Sequence, residues 1–220
     1  MSMETLQHWR VIIPGIFLGG LVIVVIQENV SELFGSIRAF PNFQLYDLPI
    51  IAVVVIFGAL YYILHIRNLL WNPYHKRIQN NIKNTLIKPF VQQLDSQQEN
   101  YLKEGRRLMH IFYQFIDNDK SLSEKAKRVR FNGLIWTSTI DLTIIAAFGS
   151  LIFWGKLVFD NTSYNIWGGI ILFIIALISF GLIQLTTKHH ISLSTEQLEF
   201  ICQAYKPELK GKIYGLLQNQ

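Results

Sequence analysis

Residues 166–185 read IWGGIILFIIALISFGLIQL, and no charged residue occurs between Asn161 and Thr187. Because a helix needs roughly 20 mostly apolar residues to cross a bilayer, this stretch predicts a membrane-spanning helix. Three further stretches lead to the same prediction. They are residues 11–27 and 48–66, which carry no charge, and residues 134–159, which contain Asp141 and Lys156.

The composition agrees with a membrane protein. Half of the 220 residues are hydrophobic, only 16% are charged, and the mean hydropathy is +0.27. Soluble domains carry about 25% charged residues. The single cysteine excludes a disulfide framework within the chain and a zinc site built on cysteine pairs.

The distribution of positive charge predicts the orientation of the four spans. All but two of the 20 lysines and arginines precede the first span, connect the second to the third, or follow the fourth. The two exceptions are Arg38 and Lys156. Because cytoplasmic loops are enriched in lysine and arginine, both termini are predicted to be cytoplasmic. No small-x-small cleavage pattern follows the first apolar stretch, so we expect it to remain as a span.

The predicted fold is therefore all-α, a polytopic protein of the inner (plasma) membrane with a helical cytoplasmic region. Residues 1–66 form a first transmembrane hairpin, whose outer loop 28–47 is either an ordinary loop or a short interfacial helix. Residues 67–133 form a basic helical cytoplasmic insert, 134–187 a second transmembrane hairpin, and 188–220 a helical cytoplasmic tail.

Local signals predict where the cytoplasmic helices begin and end. The second span is expected to end near Asn72–Pro73, because a residue before proline is disfavoured in a helix, and a kink is expected near Pro89. Apolar residues four apart, Ile78 to Phe90, indicate an amphipathic helix. Three capping boxes predict helix starts: Ser96 with Glu99, Ser121 with Glu124, and Ser194 with Gln197. The second of these helices is expected to continue into the third span.

The cytoplasmic helices come in separate pieces, and a region this small has difficulty burying its apolar faces alone. We therefore expect self-association, and a soluble cytoplasmic protein is a further candidate partner. The lipid bilayer is the third expected partner.

Asp141 is the most informative polar residue, because a carboxylate inside a span is costly and usually faces a bundle interior or water. Thr137, Ser138 and Gln184 are candidate polar neighbours. One interpretation is a pore-lining, proton-linked or gating acid. The other is a structural acid that is protonated or hydrogen-bonded to a neighbouring helix.

Two other patterns suggest contacts rather than chemistry. Gly15 and Gly19 form a small-xxx-small pattern that allows two helices to approach closely. The basic run beside the third span is expected to contact anionic lipid or a partner, and no nucleic-acid-binding motif accompanies it. This run consists of Lys125, Lys127, Arg128 and Arg130.

No enzyme motif is present: the chain has no phosphate-binding glycine loop, no HExxH and no nucleophile elbow. Arg106, Arg107 and His110 share one predicted helix, and we interpret them as a solvated face. We therefore expect no catalytic activity, no bound metal and no cofactor.

In its layout of four spans, two cytoplasmic termini and a basic helical insert, the whole chain resembles small membrane subunits of bacterial anti-phage systems. Examples are the membrane component of Kiwa and CRISPR-associated membrane accessories. The resemblance implies a homo-oligomeric inner-membrane sensor or scaffold that couples a membrane event to a cytoplasmic partner. The alternative is a channel or pore-forming effector with Asp141 near the pore.

Overall fold

A computed structural model of the chain describes residues 3–26, 48–159 and 161–218. These residues form α-helices joined by short turns and one 3-10 helix, with no β-strand among them, so the all-α prediction is confirmed for this part of the chain. The predicted outer loop 28–47 lies outside the described residues. The helices are α1 (Met3–Ile26), α2 (Leu48–Ile63), α3 (Asn68–Ile87), the 3-10 helix (Lys88–Gln93), α4 (Ser96–Lys103), α5 (Arg107–Asn118), α6 (Lys120–Lys156), α7 (Ser163–Ala204) and α8 (Lys206–Gln218).

Two of these helices, α6 and α7, are long and apolar enough to cross a membrane, judged by length and composition within the described residues. The chain divides into two compact units. Unit 1 consists of Met1–Trp71 and Leu134–Leu185, and unit 2 of Asn72–Gly133 and Thr186–Gln220. Both long helices supply residues to each unit.

Unit 1 is apolar outside and partly polar inside. On α7, the side chains of Leu177, Ile178 and Leu185 are 56%, 60% and 61% exposed, whereas Ser179 on the same helix is buried. On α6, Asp141 and Thr143 are also buried. Most buried residues of unit 1 are nevertheless apolar, Ile140 and Phe153 among them, so the unusual feature of this unit is its exposed apolar surface.

The helices of unit 1 pack through small residues and interhelical hydroxyl contacts. A Cβ atom built on Gly58 of α2 would lie 2.3 Å from the Val11 carbonyl oxygen and 3.3 Å from the Gly15 Cα of α1. Between α6 and α7, Thr143 Oγ1 donates to Ser179 Oγ at 2.9 Å, and Ser150 Oγ donates to the Gly169 carbonyl at 2.9 Å. Such contacts are typical of helices that pack without a hydrophobic driving force between them.

Unit 2 has an ordinary apolar core. The predicted face of α3 is buried through Ile78, Ile82 and Leu86, and Phe90 continues it in the 3-10 helix. An apolar face of α5 is buried as well, together with residues of α4, α6, α7 and α8. The buried apolar residues of this core include Leu102, Leu108, Met109, Ile111, Phe112, Phe115, Ile116, Leu122, Ala126, Leu198, Ile201, Leu209 and Ile213. The apolar faces that led us to expect self-association are therefore covered within the chain.

Lys83 stabilises the junction between α4 and α5. Its side chain is 9% exposed, and Nζ donates to the carbonyl oxygens of Lys103 at 2.7 Å and Gly105 at 2.8 Å. Gly105 has a φ of +62°, a left-handed conformation that glycine adopts without a Cβ clash. The buried ammonium thus satisfies the Lys103 carbonyl, which the end of α4 leaves without a helical partner, and the Gly105 carbonyl in the turn that follows.

Several predicted helix boundaries are wrong. Pro73 lies inside α3, and the chain breaks earlier, between Ile63 and Asn68. Ser194 does not begin a helix, because α7 continues through it and its hydroxyl donates to the Ile191 carbonyl. A serine inside a helix can bond back to its own backbone, so a capping pattern alone does not require a helix start.

The other two capping predictions are displaced towards the N-terminus. Asp95, not Ser96, caps α4: its carboxylate accepts from the Gln98 amide at 2.7 Å, and Gln98 accepts from the Asp95 amide at 3.1 Å. Asp119, not Ser121, accepts from the Leu122 amide at 2.7 Å, next to the start of α6. The helix does continue from there through residue 156, as predicted.

Candidate functional site: a buried charge cluster

Asp141 lies in unit 1 with both carboxylate oxygens occupied. The side chain is 1% exposed. Arg67 donates from Nε to Oδ1 at 2.7 Å and from Nη2 to Oδ2 at 2.6 Å, and the Tyr61 hydroxyl donates to Oδ1 at 3.0 Å. The two parallel contacts from one guanidinium form a bidentate ion pair, the strongest arrangement of these two groups.

A short turn between α2 and α3 places Arg67 at this carboxylate. The helical hydrogen bonds of α2 end at Leu64, and His65 adopts a left-handed backbone conformation with a φ of +53°. A left-handed residue is unusual for a side chain larger than glycine. The His65 ring nitrogen Nδ1 lies 2.6 Å from the Ile63 carbonyl oxygen, which stabilises the turn locally.

Arg10 of α1 is the fourth member of what we call the charge cluster, which consists of Arg10, Tyr61, Arg67 and Asp141. Arg67 Nη2 donates to the Arg10 carbonyl at 3.0 Å. The Arg10 side chain is half-buried and lies within electrostatic range of Arg67 and Asp141. Its Nε atom is shielded from solvent and has no hydrogen-bond partner among the described residues.

The energetics of the ion pair are asymmetric. Removing one partner of a buried pair leaves an uncompensated charge and costs about 3–5 kcal/mol, whereas replacing both partners together often costs little. Arg67 is 13% exposed and Asp141 is 1% exposed, so the carboxylate depends more on its partner than the guanidinium does. The cluster therefore ties α1, the turn after α2, and α6 together.

The hydrogen bonds of the Asp141 carboxylate described above come from Arg67 and Tyr61 and not from its predicted neighbours. Thr137 and Ser138 both donate to the Leu134 carbonyl of their own helix, at 3.0 and 2.9 Å. Gln184 is half-buried on α7. The carboxylate is held by side chains from outside α6, which corresponds to the structural interpretation in which the acid is bonded to a neighbouring element.

The predicted packing glycines are both buried on α1. Gly15 lies where α1 and α2 approach each other, opposite Gly58. Gly58 itself was missed in the sequence, because a single glycine in an apolar run carries no pattern.

The predicted basic run lies on an exposed face of α6 in unit 2. Lys125, Lys127 and Arg128 are exposed and Arg130 is half-buried. Lys127 pairs with Glu124 at 2.6 Å, a surface pair of small energetic weight. Three of the four cations thus remain available to an anionic surface.

Unit 2 also contains polar groups outside the predicted sites. Arg106, Arg107 and His110 line an open depression of about 390 Å³ together with Glu104 and Gly105. Arg107 is held by the Tyr101 carbonyl at 2.8 Å, and its guanidinium lies 3.9 Å from the centre of the Tyr101 ring. Within the described residues, no three His, Cys, Asp or Glu side chains are grouped as a metal site requires.

A partly buried histidine lies in unit 2. Burial, and then the positive charge of Arg106, lower the pKa of His75 to about 4. Its Nε2 atom lies 2.8 Å from Gln79 Nε2, one turn away on α3. Near neutral pH this imidazole is therefore neutral.

Tyr61, Arg67 and Arg10 were not predicted as site residues. Arg67 was used only as a positive charge that marks orientation. A usable signal existed, because the predicted span plan put Arg10, Arg67 and Asp141 at the same end of their spans. Opposite charges at one depth of an apolar bundle are expected to pair.

Comparison with known proteins identifies no relative. No family model matches the chain, and neither a curated protein nor a solved structure shows significant similarity to it.

Proposed function

We propose that the chain is a four-span inner-membrane protein in which α1, α2, the unit 1 part of α6 and the unit 1 part of α7 cross the bilayer. The proposal rests mainly on the exposed apolar surface of unit 1. Of the exposed large hydrophobic side chains in the described residues, only Val91, Tyr113 and Phe131 belong to unit 2. The exposed apolar surface of unit 1 is far larger than water tolerates on a soluble protein.

Both termini and unit 2 are cytoplasmic in this proposal. The basic run of α6 and the lysines of the tail belong to unit 2, whereas unit 1 has few charged side chains. This distribution agrees with the enrichment of lysine and arginine on the cytoplasmic side of membrane proteins.

The proposed activity is that of a sensor or scaffold. The helices α6 and α7 are unbroken over 37 and 42 residues and supply residues to both units. A continuous helix is a stiff element through which two sites can be coupled. A change of packing in the bilayer would therefore alter unit 2, which would present its surface to a soluble cytoplasmic partner.

Homo-oligomerisation and a role in anti-phage defence are proposed from the resemblance in span plan. A plaque assay on cells that express the chain with its native neighbouring genes tests the proposed role in anti-phage defence. Loss of protection on deletion of this chain supports it, and unchanged plaque numbers contradict it. Cross-linking of the purified protein in detergent tests self-association.

A channel lined by Asp141 is the less favoured alternative. A pore-facing carboxylate needs access to water, but this one is 1% exposed and is bonded to Arg67 and Tyr61 within the same chain. Unchanged ion conductance of Asp141→Asn in a planar bilayer would agree with the structural interpretation.

Cysteine labelling tests the proposed topology. In a Cys202→Ser background, single cysteines are introduced as Asn161→Cys, between α6 and α7, and as Lys127→Cys and Lys210→Cys in unit 2. An impermeant maleimide applied to spheroplasts is expected to label the first variant alone, and all three after permeabilisation. Equal labelling of the three variants in intact spheroplasts would contradict the four-span topology.

A further inference from the structure

The charge cluster contains one more cation than it contains anions. Arg10 and Arg67 are both present, and Asp141 is the only carboxylate among the unit 1 side chains that the structure describes. Both oxygens of that carboxylate already accept hydrogen bonds, from Arg67 and Tyr61. The charge of Arg10 therefore has no carboxylate of its own in this part of the chain.

Arg10 also has an unused hydrogen-bond donor. Its Nε atom is shielded from solvent and unbonded among the described residues, and the adjacent Arg67 repels it. A cationic donor that is shielded from solvent and has no acceptor is costly, because its hydrogen bond to water is lost and no protein hydrogen bond replaces it. An anion that enters from outside this set of side chains would supply the acceptor and also balance the surplus positive charge.

The surroundings of Arg10 fit a group at the membrane surface. Trp9 is 42% exposed and Tyr62 is 57% exposed, and Tyr62 lies within electrostatic range of Arg10. Tryptophan and tyrosine are enriched at the level of lipid headgroups. A guanidinium binds phosphate oxygens through two parallel hydrogen bonds.

We infer that Arg10 forms a binding site for a phosphate group, supplied by the headgroup of an anionic phospholipid in the cytoplasmic leaflet. This inference rests on the proposed membrane location. The phosphate neutralises the surplus positive charge of the cluster and accepts from the guanidinium. The site is distinct from the basic run of α6, which belongs to unit 2.

Thermal unfolding of the full chain in mixed micelles tests the site. The protein in a neutral detergent is titrated with dioleoylphosphatidylglycerol or, as a neutral lipid, with dioleoylphosphatidylcholine. The wild type is expected to gain Tm with the anionic lipid only. In Arg10→Gln, the lipid fraction for half of the shift should rise about tenfold or the shift should vanish. Lys206→Gln, which removes an exposed cation of unit 2 outside the basic run, should keep the wild-type response.

An identical anionic-lipid response of Arg10→Gln and wild type would overturn the inference. If Arg10→Gln does not fold, Arg10→Lys is used instead. The lysine keeps the charge but loses the paired geometry, so a weaker shift is expected, and an unchanged shift again overturns the inference. A third arm uses millimolar inorganic phosphate. A shift that depends on Arg10 there supports the phosphate site and assigns it to a soluble phosphate, which would replace the lipid as its ligand.

A separate readout distinguishes failure of the site from failure of the proposed membrane location. The wild type is reconstituted into neutral dioleoylphosphatidylcholine vesicles and washed at alkaline pH. Release from the vesicles contradicts membrane insertion, whatever the anionic lipid does. Retention together with an Arg10-independent lipid response contradicts only the site.

Discussion

At the residue scale, Arg67 and Asp141 are expected to be unequal in a stability measurement. Arg67→Gln leaves a carboxylate that is 1% exposed without its cation, so we expect a loss of about 3–5 kcal/mol. The double variant Arg67→Gln/Asp141→Asn removes both charges and should be more stable than Arg67→Gln alone. Asp141→Asn leaves a guanidinium that is 13% exposed, so its loss should be smaller than that of Arg67→Gln. Unfolding titrations in mixed detergent micelles measure all three variants. A double variant as unstable as the sum of the single ones would show that the ion pair is not the cause.

His75 gives unit 2 a dependence on pH. Its pKa is lowered to about 4 by burial and by Arg106, from 6.5 in the unfolded chain. The unfolded state therefore binds the proton more tightly, and stability present above pH 6.5 is lost as the pH falls towards 4. Burial also lowers the pKa of His190 in the same unit to about 4, so His75→Gln should reduce that loss without abolishing it when unfolding is followed at pH 7.5, 6 and 5. An equal pH dependence in both proteins would exclude His75 as its source.

At the element scale, the packing of α1 on α2 depends on Gly58. Replacement of a helical glycine by alanine is favourable by up to about 1 kcal/mol where space allows. Gly58→Ala is expected to destabilise instead, because its Cβ would lie 2.3 Å from the Val11 carbonyl oxygen. Gly20→Ala on α1 is the matched control, with no atom within 4 Å of the new Cβ. The two Tm values should move in opposite directions, and a parallel shift would contradict the close approach.

Helix capping gives a direct choice between a sequence pattern and the structure. Asp95 accepts the Gln98 amide, whereas the pattern had indicated Ser96. Asp95→Ala should cost about 1 kcal/mol, the usual loss for an N-cap, and Ser96→Ala should be close to neutral. A larger loss of stability in Ser96→Ala than in Asp95→Ala, measured by urea titration, would show that Ser96 is the N-cap.

At the scale of the whole molecule, the proposed membrane location places the exposed apolar surface of unit 1 in contact with lipid. Leu177→Asp places a carboxylate on that surface and should cost about 3 kcal/mol of insertion, which would reduce the membrane-bound fraction after alkaline extraction. Val91→Asp makes the same change at a 41% exposed position of unit 2 and should leave that fraction unchanged. Equal behaviour of the two variants would contradict a bilayer around Leu177.

Much of the fold could be predicted from local patterns, and the misses share one cause. The buried faces of α3 and α5 follow from helical spacing of apolar residues. Helix ends were less predictable, since Pro73 lies within α3 and Ser194 within α7. A helix ends where the whole fold makes ending favourable, and at residues 64–67 the end coincides with the contact between Arg67 and Asp141.

The sequence by itself determined that this chain is helical and that residues 166–185 are too apolar to suit water, because hydropathy is a property of consecutive residues. It also identified Asp141 as a charge that needs compensation. Only the tertiary structure decided the compensation, since Arg67 is 74 positions away along the chain. It likewise decided that Gly58 meets α1 and that Arg10 keeps a shielded donor. Such pairings depend on which helices become neighbours, and no local pattern encodes that choice.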